Sequence, residues 1–100
     1  MNALSRLPSE AVLLDLADLF KLFSDSTRIK ILYALMDKSL CVAEIAETCN
    51  LSPSATSHQL QKLKQARLIK SQREGKNIIY SLCDSHVLTV LEQGLEHIKE

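Results

Sequence analysis

The chain has 100 residues, with 12 lysines and arginines, 12 aspartates and glutamates, and 46% apolar residues. This length and apolar content suit one domain, 1–100, with a modest core, so we expect pairing with a second copy to add stability. No apolar run approaches the length needed to span a bilayer, and the N-terminus lacks a signal-peptide core, which favours a cytoplasmic protein without a membrane partner. Three cysteines, an odd number without zinc-ribbon spacing, argue against a disulfide scaffold.

The neutral total conceals an uneven distribution of charge. Six cations and one acid, Glu74, lie between His58 and Lys76, whereas the last 24 residues hold four acids and one base. A basic middle favours contacts with phosphates, while an acidic tail favours cations.

Amphipathic helices are predicted at both ends of the chain, over 9–23 and 84–99. Apolar residues recur at three- and four-residue steps in both: Val12, Leu16, Leu19, Phe20 and Phe23 in the first, and Val87, Leu88, Leu91, Leu95 and Ile98 in the last. Asp84 stands where an N-cap is expected, and Gly94 inside the helix predicts a close approach of another helix. A small core cannot bury both apolar faces, so these two helices form the predicted dimer interface.

Between them, a second helix is predicted after Ser24-Asp25-Ser26, with its inward side formed by Ile29, Leu32, Tyr33 and Met36. A short helix carrying Val42, Ile45 and Ala46 follows, and it ends in a tight turn at Cys49-Asn50-Leu51. Asn50 is suited to the left-handed conformation there.

The next helix is predicted to be the reading element of a helix-turn-helix. Ser52 is a good N-cap and Pro53 suits the first helical position. One face is apolar, with Thr56, Leu60 and Leu63 on it. The opposite face carries the candidate DNA-binding residues Ser54, Ser57, His58, Gln61 and Lys62. Small hydroxyls allow the backbone close to a groove, and the longer side chains can reach base edges and phosphates.

A β-hairpin is predicted after the reading helix. The β-suited runs 68–72 and 77–82 flank Arg73-Glu74-Gly75-Lys76, a cationic tip that contains glycine. Arg73 and Lys76 are therefore expected to contact the DNA backbone or minor groove beside the reading helix. The predicted fold is mainly α with a small β-hairpin, a winged helix-turn-helix that dimerises through its terminal helices.

Four residues near the C-terminus form a candidate metal site: Asp84, His86, His97 and Glu100. Imidazole and carboxylate donors suit zinc, but His86 and His97 are eleven residues apart, about 16 Å along a helix, so one ion cannot bridge them in one chain. Antiparallel pairing of two such helices across a twofold axis would close four ligands at each end. The alternative is that Asp84 is only a cap and the other three residues are solvated surface.

The sequence resembles the ArsR/SmtB family of bacterial metal-responsive repressors over nearly its whole length. The resemblance lies in FSDSTRIKILYAL (23–35), LCVAEIA (40–46), LSPSATSHQLQKLKQARLI (51–69), REGKNIIYSL (73–82), and the pattern D-x-H then H-x-x-E at the end. It implies a homodimer that represses transcription at an inverted-repeat operator and releases the DNA when zinc, or cobalt or nickel, binds between subunits. The zinc ligands implied are Asp84, His86, His97 and Glu100. It also implies that a backbone carbonyl near Arg67 accepts a hydrogen bond from the second ring nitrogen of His97, which couples the metal to the reading helix.

The cysteines do not match the pattern of a thiolate metal site. The family has a second type of site, built on a Cys-x-Cys in the segment that matches 40–46, and here Ala43 replaces the second cysteine. Cys41 and Cys49 are therefore expected to be buried small apolar residues. Cys83 adjoins Asp84, but the sequence does not fix the orientation of its thiol.

Three other functions compete with the metal-responsive repressor. The first is a repressor with a thiol or redox effector. A reactive thiolate needs neighbouring cations, and the sequence places none beside the cysteines. A winged-helix module that binds an acidic protein partner would use the same basic face. An enzyme is disfavoured, because a zinc ion with four protein ligands has no open position for water and the sequence offers no separate general base or small-molecule substrate site.

Overall fold

The computed structural model describes residues 6–100, so the first five residues of the predicted 1–100 domain lie outside it. Five helices and three strands occupy the described part. In chain order they are α1 (Glu10–Leu22), α2 (Ser26–Ala34), β1 (Leu40–Cys41), α3 (Val42–Cys49), α4 (Pro53–Gln65), β2 (Ile69–Glu74), β3 (Asn77–Leu82) and α5 (Ser85–Lys99). The mainly helical architecture with a hairpin after a helix-turn-helix is the predicted one. In 6–100, no helix combines the length and apolar character that crossing a membrane requires.

Side-chain caps place the beginnings of the helices close to where the sequence predicts them. Ser9 accepts a hydrogen bond from the Val12 backbone N–H at the start of α1. Ser52 accepts one from the Ala55 N–H at 3.1 Å and begins α4, with Pro53 as its first residue. These caps satisfy N–H groups that the first turn of a helix leaves without a partner.

The core lies where α2, α3 and α4 meet the base of the hairpin and the first half of α5. Its fully buried side chains are Ile31, Leu32, Ile45, Cys49, Leu60, Leu63, Ile69 and Thr56. The predicted inward side of α2 is partly wrong. Ile29, Tyr33 and Met36 are only half-buried, whereas Ile31 and Leu35 are buried. Because α2 is apolar on several sides, its periodicity could not select the buried side.

The sheet is antiparallel, with strand order β1-β3-β2. β1 was not predicted; it has only two residues and pairs Leu40 with Tyr80 and Cys41 with Ile79. Two residues are too few for an alternating pattern, so this strand exists only through its pairing with a distant segment.

The hairpin is tighter than predicted. β2 extends to Glu74, which pairs with Asn77, so the turn contains only Gly75 and Lys76 and Arg73 lies in the strand. Gly75 has φ of 63°. A two-residue turn with a left-handed glycine at its first position matches the twist of the strands, which explains the shorter loop.

Two helices end on a residue in the left-handed conformation. Asn50, as predicted, has φ of 56° and ends α3, and the Leu51 N–H donates to the Ala46 carbonyl at 2.9 Å. Arg67 has φ of 62° and follows α4. The sequence did not predict the second of these, because arginine is rarely left-handed.

The terminal helices leave apolar side chains exposed. α1 has no buried residue, and Phe20 is 52% exposed. In α5, Val87 and Leu91 are buried in the core, but Leu95 and Ile98 are exposed. Within residues 6–100 of one chain, a Cβ added at Gly94 would meet no atom within 4 Å beyond its chain neighbours and the backbone of its own helix, so the predicted close approach stays a prediction for a second copy. Gly94 instead lines an open apolar cavity that it shares with Phe23, Ile29 and Tyr33.

Candidate nucleic-acid interface and metal centre

The outer face of α4 presents the five residues predicted to contact DNA. Ser54, Ser57, His58, Gln61 and Lys62 are all exposed. The opposite face is anchored by Thr56, Leu60 and Leu63, each 0% exposed. A rigid helix with a buried apolar stripe and a polar outer stripe can enter a major groove without disturbing the core.

A groove beside this face contains residues that were not among the predicted DNA contacts. It has a volume of about 530 Å³ and is lined by Ser57, Gln61, Lys64, Gln65 and Tyr80. Lys64 lies three residues after Gln61 and seven after Ser57, a helical spacing that could have revealed it. Tyr80 comes from β3, so only the folding of the hairpin onto α4 adds it. The groove joins the reading helix to the wing.

The two predicted wing cations lie at the tip of the hairpin and are exposed. The Arg73 Nε donates to the Gly75 carbonyl oxygen at 3.3 Å, so the side chain is folded against the turn. Lys76 is in the turn itself. Both cations lie in the same hairpin as Tyr80, and Arg73 is two residues along β2 from Ser71, the partner of Tyr80.

The first half of the candidate metal site lies at the N-terminus of α5. Asp84 Oδ1 accepts a hydrogen bond from the His86 backbone N–H at 2.9 Å, and His86 Nδ1 lies 3.2 Å from Asp84 Oδ2. The hydrogen bond from the His86 backbone lowers the pKa of Asp84. The carboxylate is therefore ionised at neutral pH, and one of its oxygens lies beside an imidazole nitrogen.

The second half lies at the other end of α5. His97 Nδ1 is 3.8 Å from Glu100 Oε2, and the two side chains are 85% and 71% exposed. Two ligands of a tetrahedral zinc ion with bonds of about 2.1 Å are about 3.4 Å apart. The Asp84–His86 and His97–Glu100 distances of 3.2 and 3.8 Å lie on either side of that value. Each pair can thus offer two donor atoms to one ion.

One chain does not bring the two pairs together. Among the residues that the structure describes, no group of three or more histidine, cysteine, aspartate or glutamate side chains could hold a metal ion. The helix length between His86 and His97 separates the pairs, as their spacing predicted. A four-ligand site therefore requires a second chain.

Arg67 lies beside the first of these pairs. An apolar cavity of about 230 Å³ between α1, the end of α4 and α5 is lined in part by Arg67, Asp84, His86 and Val90. The left-handed backbone at Arg67 allows the Leu68 N–H to donate to the Leu63 carbonyl at 3.1 Å, which closes the end of the reading helix. The end of α4 and the start of α5 thus meet at Arg67.

The three cysteines are free thiols in different surroundings. Cys49 is buried, as predicted, and burial raises the pKa of its thiol. Cys41 and Cys83 are half-buried. Full burial was therefore wrong for Cys41, because it lies in the edge strand β1 and its backbone N–H donates to Glu44 Oε1 at 2.9 Å to begin α3.

Comparison with known proteins identifies the family. The family model described as bacterial regulatory protein, arsR family, matches residues 25–71. The chain is 40% identical over 88 residues to the cadmium resistance transcriptional regulatory protein CadC homolog of Staphylococcus aureus, covering 87% of this chain and 73% of that protein. The chain belongs to the ArsR family. It is also 38% identical over 85 residues to the transcriptional repressor SmtB homolog of Synechocystis sp., covering 85% of this chain and 64% of that protein.

A solved structure supports the same assignment. The AntR antimony-specific transcriptional repressor superposes with a TM-score of 0.81 at 37% identity, over 93% of this chain and 85% of that one. The winged helix-turn-helix fold and the predicted ArsR/SmtB membership are confirmed. The ArsR family consists of transcriptional regulators, which also confirms the prediction that the chain is not an enzyme. The chain spans 64% of the length of the SmtB homolog.

Proposed function

We propose that this ArsR-family chain acts in the bacterial cytoplasm as a homodimeric repressor that binds an inverted-repeat operator and releases it when zinc binds between the subunits. The observation that carries the metal half is the division of four donor side chains into two pairs at opposite ends of α5. Each pair has donor atoms 3.2 or 3.8 Å apart. Neither pair alone supplies enough ligands.

A dimer is supported by the apolar surface that one chain leaves in contact with water. α1 has no buried residue. The exposed apolar side chains of the two terminal helices include Val12, Leu14, Leu16, Phe20, Val90, Leu95 and Ile98. A patch of this kind on a small protein marks an interaction surface. We infer that α1 and α5 of two copies cover each other there.

Zinc fits the donor set better than a soft metal does. Two imidazoles and two carboxylates are nitrogen and oxygen ligands, which suit zinc, cobalt or nickel, whereas cadmium favours thiolates. The relatives named for cadmium or antimony are similar to this chain. In this chain, however, Ala43 replaces the second cysteine of the Cys-x-Cys on which the family's second type of metal site is built. Asp84, His86, His97 and Glu100 would hold the ion, which supplies the attraction that fixes the two α5 helices relative to each other.

In the DNA half of the proposal, α4 reads the major groove and the wing contacts the backbone. Ser54, Ser57, His58, Gln61 and Lys62 would reach base edges and phosphates, while Arg73 and Lys76 would contact phosphates or the minor groove. Two copies related by a twofold axis present two reading helices, which suits an inverted repeat.

Coupling between the halves is proposed to pass through Arg67. The residue ends the reading helix and lines a cavity with Asp84 and His86. If His97 of a second copy completes the site there, its other ring nitrogen would lie within reach of a carbonyl near Arg67. A metal-ligating histidine needs such an acceptor to fix its ring. Zinc would thereby select a dimer in which the reading helices no longer match successive major grooves.

A mixed dimer tests the intersubunit site directly. His86→Ala and His97→Ala chains with different affinity tags are co-expressed, and the mixed dimer is purified through both tags. A site shared between chains leaves one end of the mixed dimer with all four ligands. We expect one tightly bound zinc per mixed dimer and none in either parent homodimer. No zinc in the mixed dimer would contradict the shared site.

Operator release is measured by fluorescence anisotropy with an inverted-repeat duplex from upstream of the gene, first in chelator and then with zinc. We expect tight binding that collapses at about one zinc per subunit. His97→Ala should bind the duplex in chelator and keep it in zinc, whereas the control Lys99→Ala, on the same helix, should respond like the unmodified protein. Release of the His97→Ala variant by zinc would refute the assigned ligand set. Release by peroxide in chelator would favour a thiol effector, and no duplex binding would favour a protein-interaction module.

A further inference from the structure

Arg28, in the first turn of α2, connects three helices through its guanidinium group. Its Nε donates to the Leu22 carbonyl at 3.0 Å and its Nη2 to the Lys21 carbonyl at 3.1 Å. Its Nη1 donates to Gln59 Oε1 of α4 at 3.3 Å. One side chain therefore holds the end of α1 and the flank of α4 at the same time.

The contacts with α1 supply hydrogen-bond donors to carbonyls at the C-terminal end of that helix. The last carbonyls of a helix have no hydrogen-bond partner inside it. A cation at that end also interacts favourably with the partial negative charge of the helix dipole. Leu19 and Leu22 of α1 pack against the core but stay half-buried, so the guanidinium adds a polar attachment at the end of that helix. The guanidinium is planar and its donors have a fixed arrangement, so it defines a direction between its partners.

The contact with α4 lies next to the face that reads DNA. Gln59 is half-buried, between the fully buried Leu60 and the exposed His58. A rotation of α4 about its axis would change the distance from Gln59 to Arg28. The backbone of Arg28 is held at the start of α2, because its N–H donates to Oδ2 of the N-cap residue Asp25 at 3.0 Å.

We propose that Arg28 is a positioning residue that links the placement of α1 to the orientation of α4. This inference rests on the proposed function where it takes α1 as part of the dimer interface. A change in how two copies pair moves the end of α1, and the guanidinium transmits that movement to Gln59 and hence to the reading face. Gln59 lies in the middle of α4, whereas Arg67 follows its C-terminal end.

Two substitutions separate this role from ordinary stabilisation. Gln59→Ala removes the bond to α4 and leaves the contacts with α1 in place. Arg28→Lys keeps the charge, but a compact ammonium cannot reproduce the planar arrangement of donors toward three acceptors. Gln93→Ala, at an exposed glutamine of α5, is the matched control. The double variant Arg28→Lys/Gln59→Ala tests whether the two residues act as one unit.

The measurement is the ratio of operator affinity in chelator to that in zinc, with zinc stoichiometry and the unfolding midpoint recorded for each variant. We expect Arg28→Lys and Gln59→Ala each to lower the ratio at least fivefold, with zinc stoichiometry unchanged and no further loss in the double variant. Gln93→Ala should keep the full ratio. Unchanged ratios in both single variants would overturn the inference.

The same measurements distinguish a failure of the proposed function from a failure of the Arg28 inference. If zinc does not change the operator affinity of the unmodified protein, the zinc proposal fails, and affinity in chelator then decides the role of Arg28. Gln59→Ala should still weaken operator binding about fivefold while the dimer stays intact by sedimentation. Operator binding equal to that of Gln93→Ala would overturn the role of Arg28 under that condition too.

Discussion

Replacing Arg67 with glycine should stabilise the protein, although the substitution removes a charged side chain. Arg67 has φ of 62° at the end of α4, where a left-handed L-residue costs about 1–2 kcal/mol and glycine is the preferred residue. Glycine returns part of this gain, roughly 0.5–1 kcal/mol, because it makes the unfolded chain more flexible. We therefore expect the free energy of unfolding to rise by about 0.5–1 kcal/mol. For a domain of this size, each kcal/mol raises Tm by about 4–8 °C.

Arg67→Ala is the matched control, because alanine loses the guanidinium but keeps the Cβ that makes this conformation costly. Since Arg67 is exposed, alanine should change the free energy of unfolding by less than about 0.5 kcal/mol. Urea unfolding is followed by circular dichroism at one fixed protein concentration, since the stability of a dimer depends on concentration. A glycine variant no more stable than the alanine variant would refute the strain at this position. Zinc release should survive in both variants, because the proposed acceptor is a backbone carbonyl.

Three further substitutions or conditions test other parts of the molecule. Gly94→Ala should raise helix stability by up to about 1 kcal/mol, since within 6–100 a Cβ there would meet no atom within 4 Å beyond its chain neighbours and its own helix backbone. Weaker dimerisation by sedimentation would show that a second copy approaches this glycine, and unchanged dimerisation would place the interface elsewhere. Lys64→Ala, in the groove beside Tyr80, should reduce the magnitude of the slope of log affinity against log salt concentration by about 1. The slope is measured with operator duplex, and an unchanged slope would exclude a phosphate contact. The buried Cys49 thiol has a raised pKa, so its contribution to stability is complete below the ordinary thiol value and declines as pH rises through the raised one. The native protein should expose Cys49 to a thiol reagent at pH 8 only after urea is added, and fast native labelling of Cys49 would contradict its burial.

Local signals in the sequence located most of the helices. Ser9, Ser52 and Asp84 each accept a backbone hydrogen bond at the start of the helix predicted to follow them. These caps act within three residues, so a local pattern can reveal them. The exposed polar face of α4 was predictable for a similar reason, because a buried stripe at helical spacing fixes the opposite face.

Contacts between distant segments explain what the sequence left open. β1 exists because Leu40 meets Tyr80, and Tyr80 joins the groove of α4 because the hairpin folds onto that helix. The role of Arg28 has no local sequence signal, since its acceptors lie up to 31 residues away. No local periodicity encodes such distances.

The sequence by itself determined that the chain folds as a winged helix-turn-helix and that its four candidate metal donors fall into two pairs on one helix. Periodicity and spacing along a helix carry this information, because both depend only on neighbouring residues. Only the tertiary structure decided that α1 has no fully buried residue, that Arg67 is left-handed beside Asp84 and His86, and that Arg28 spans α1 and α4. These features depend on which faces the core can cover, and a core is assembled from residues far apart in the chain.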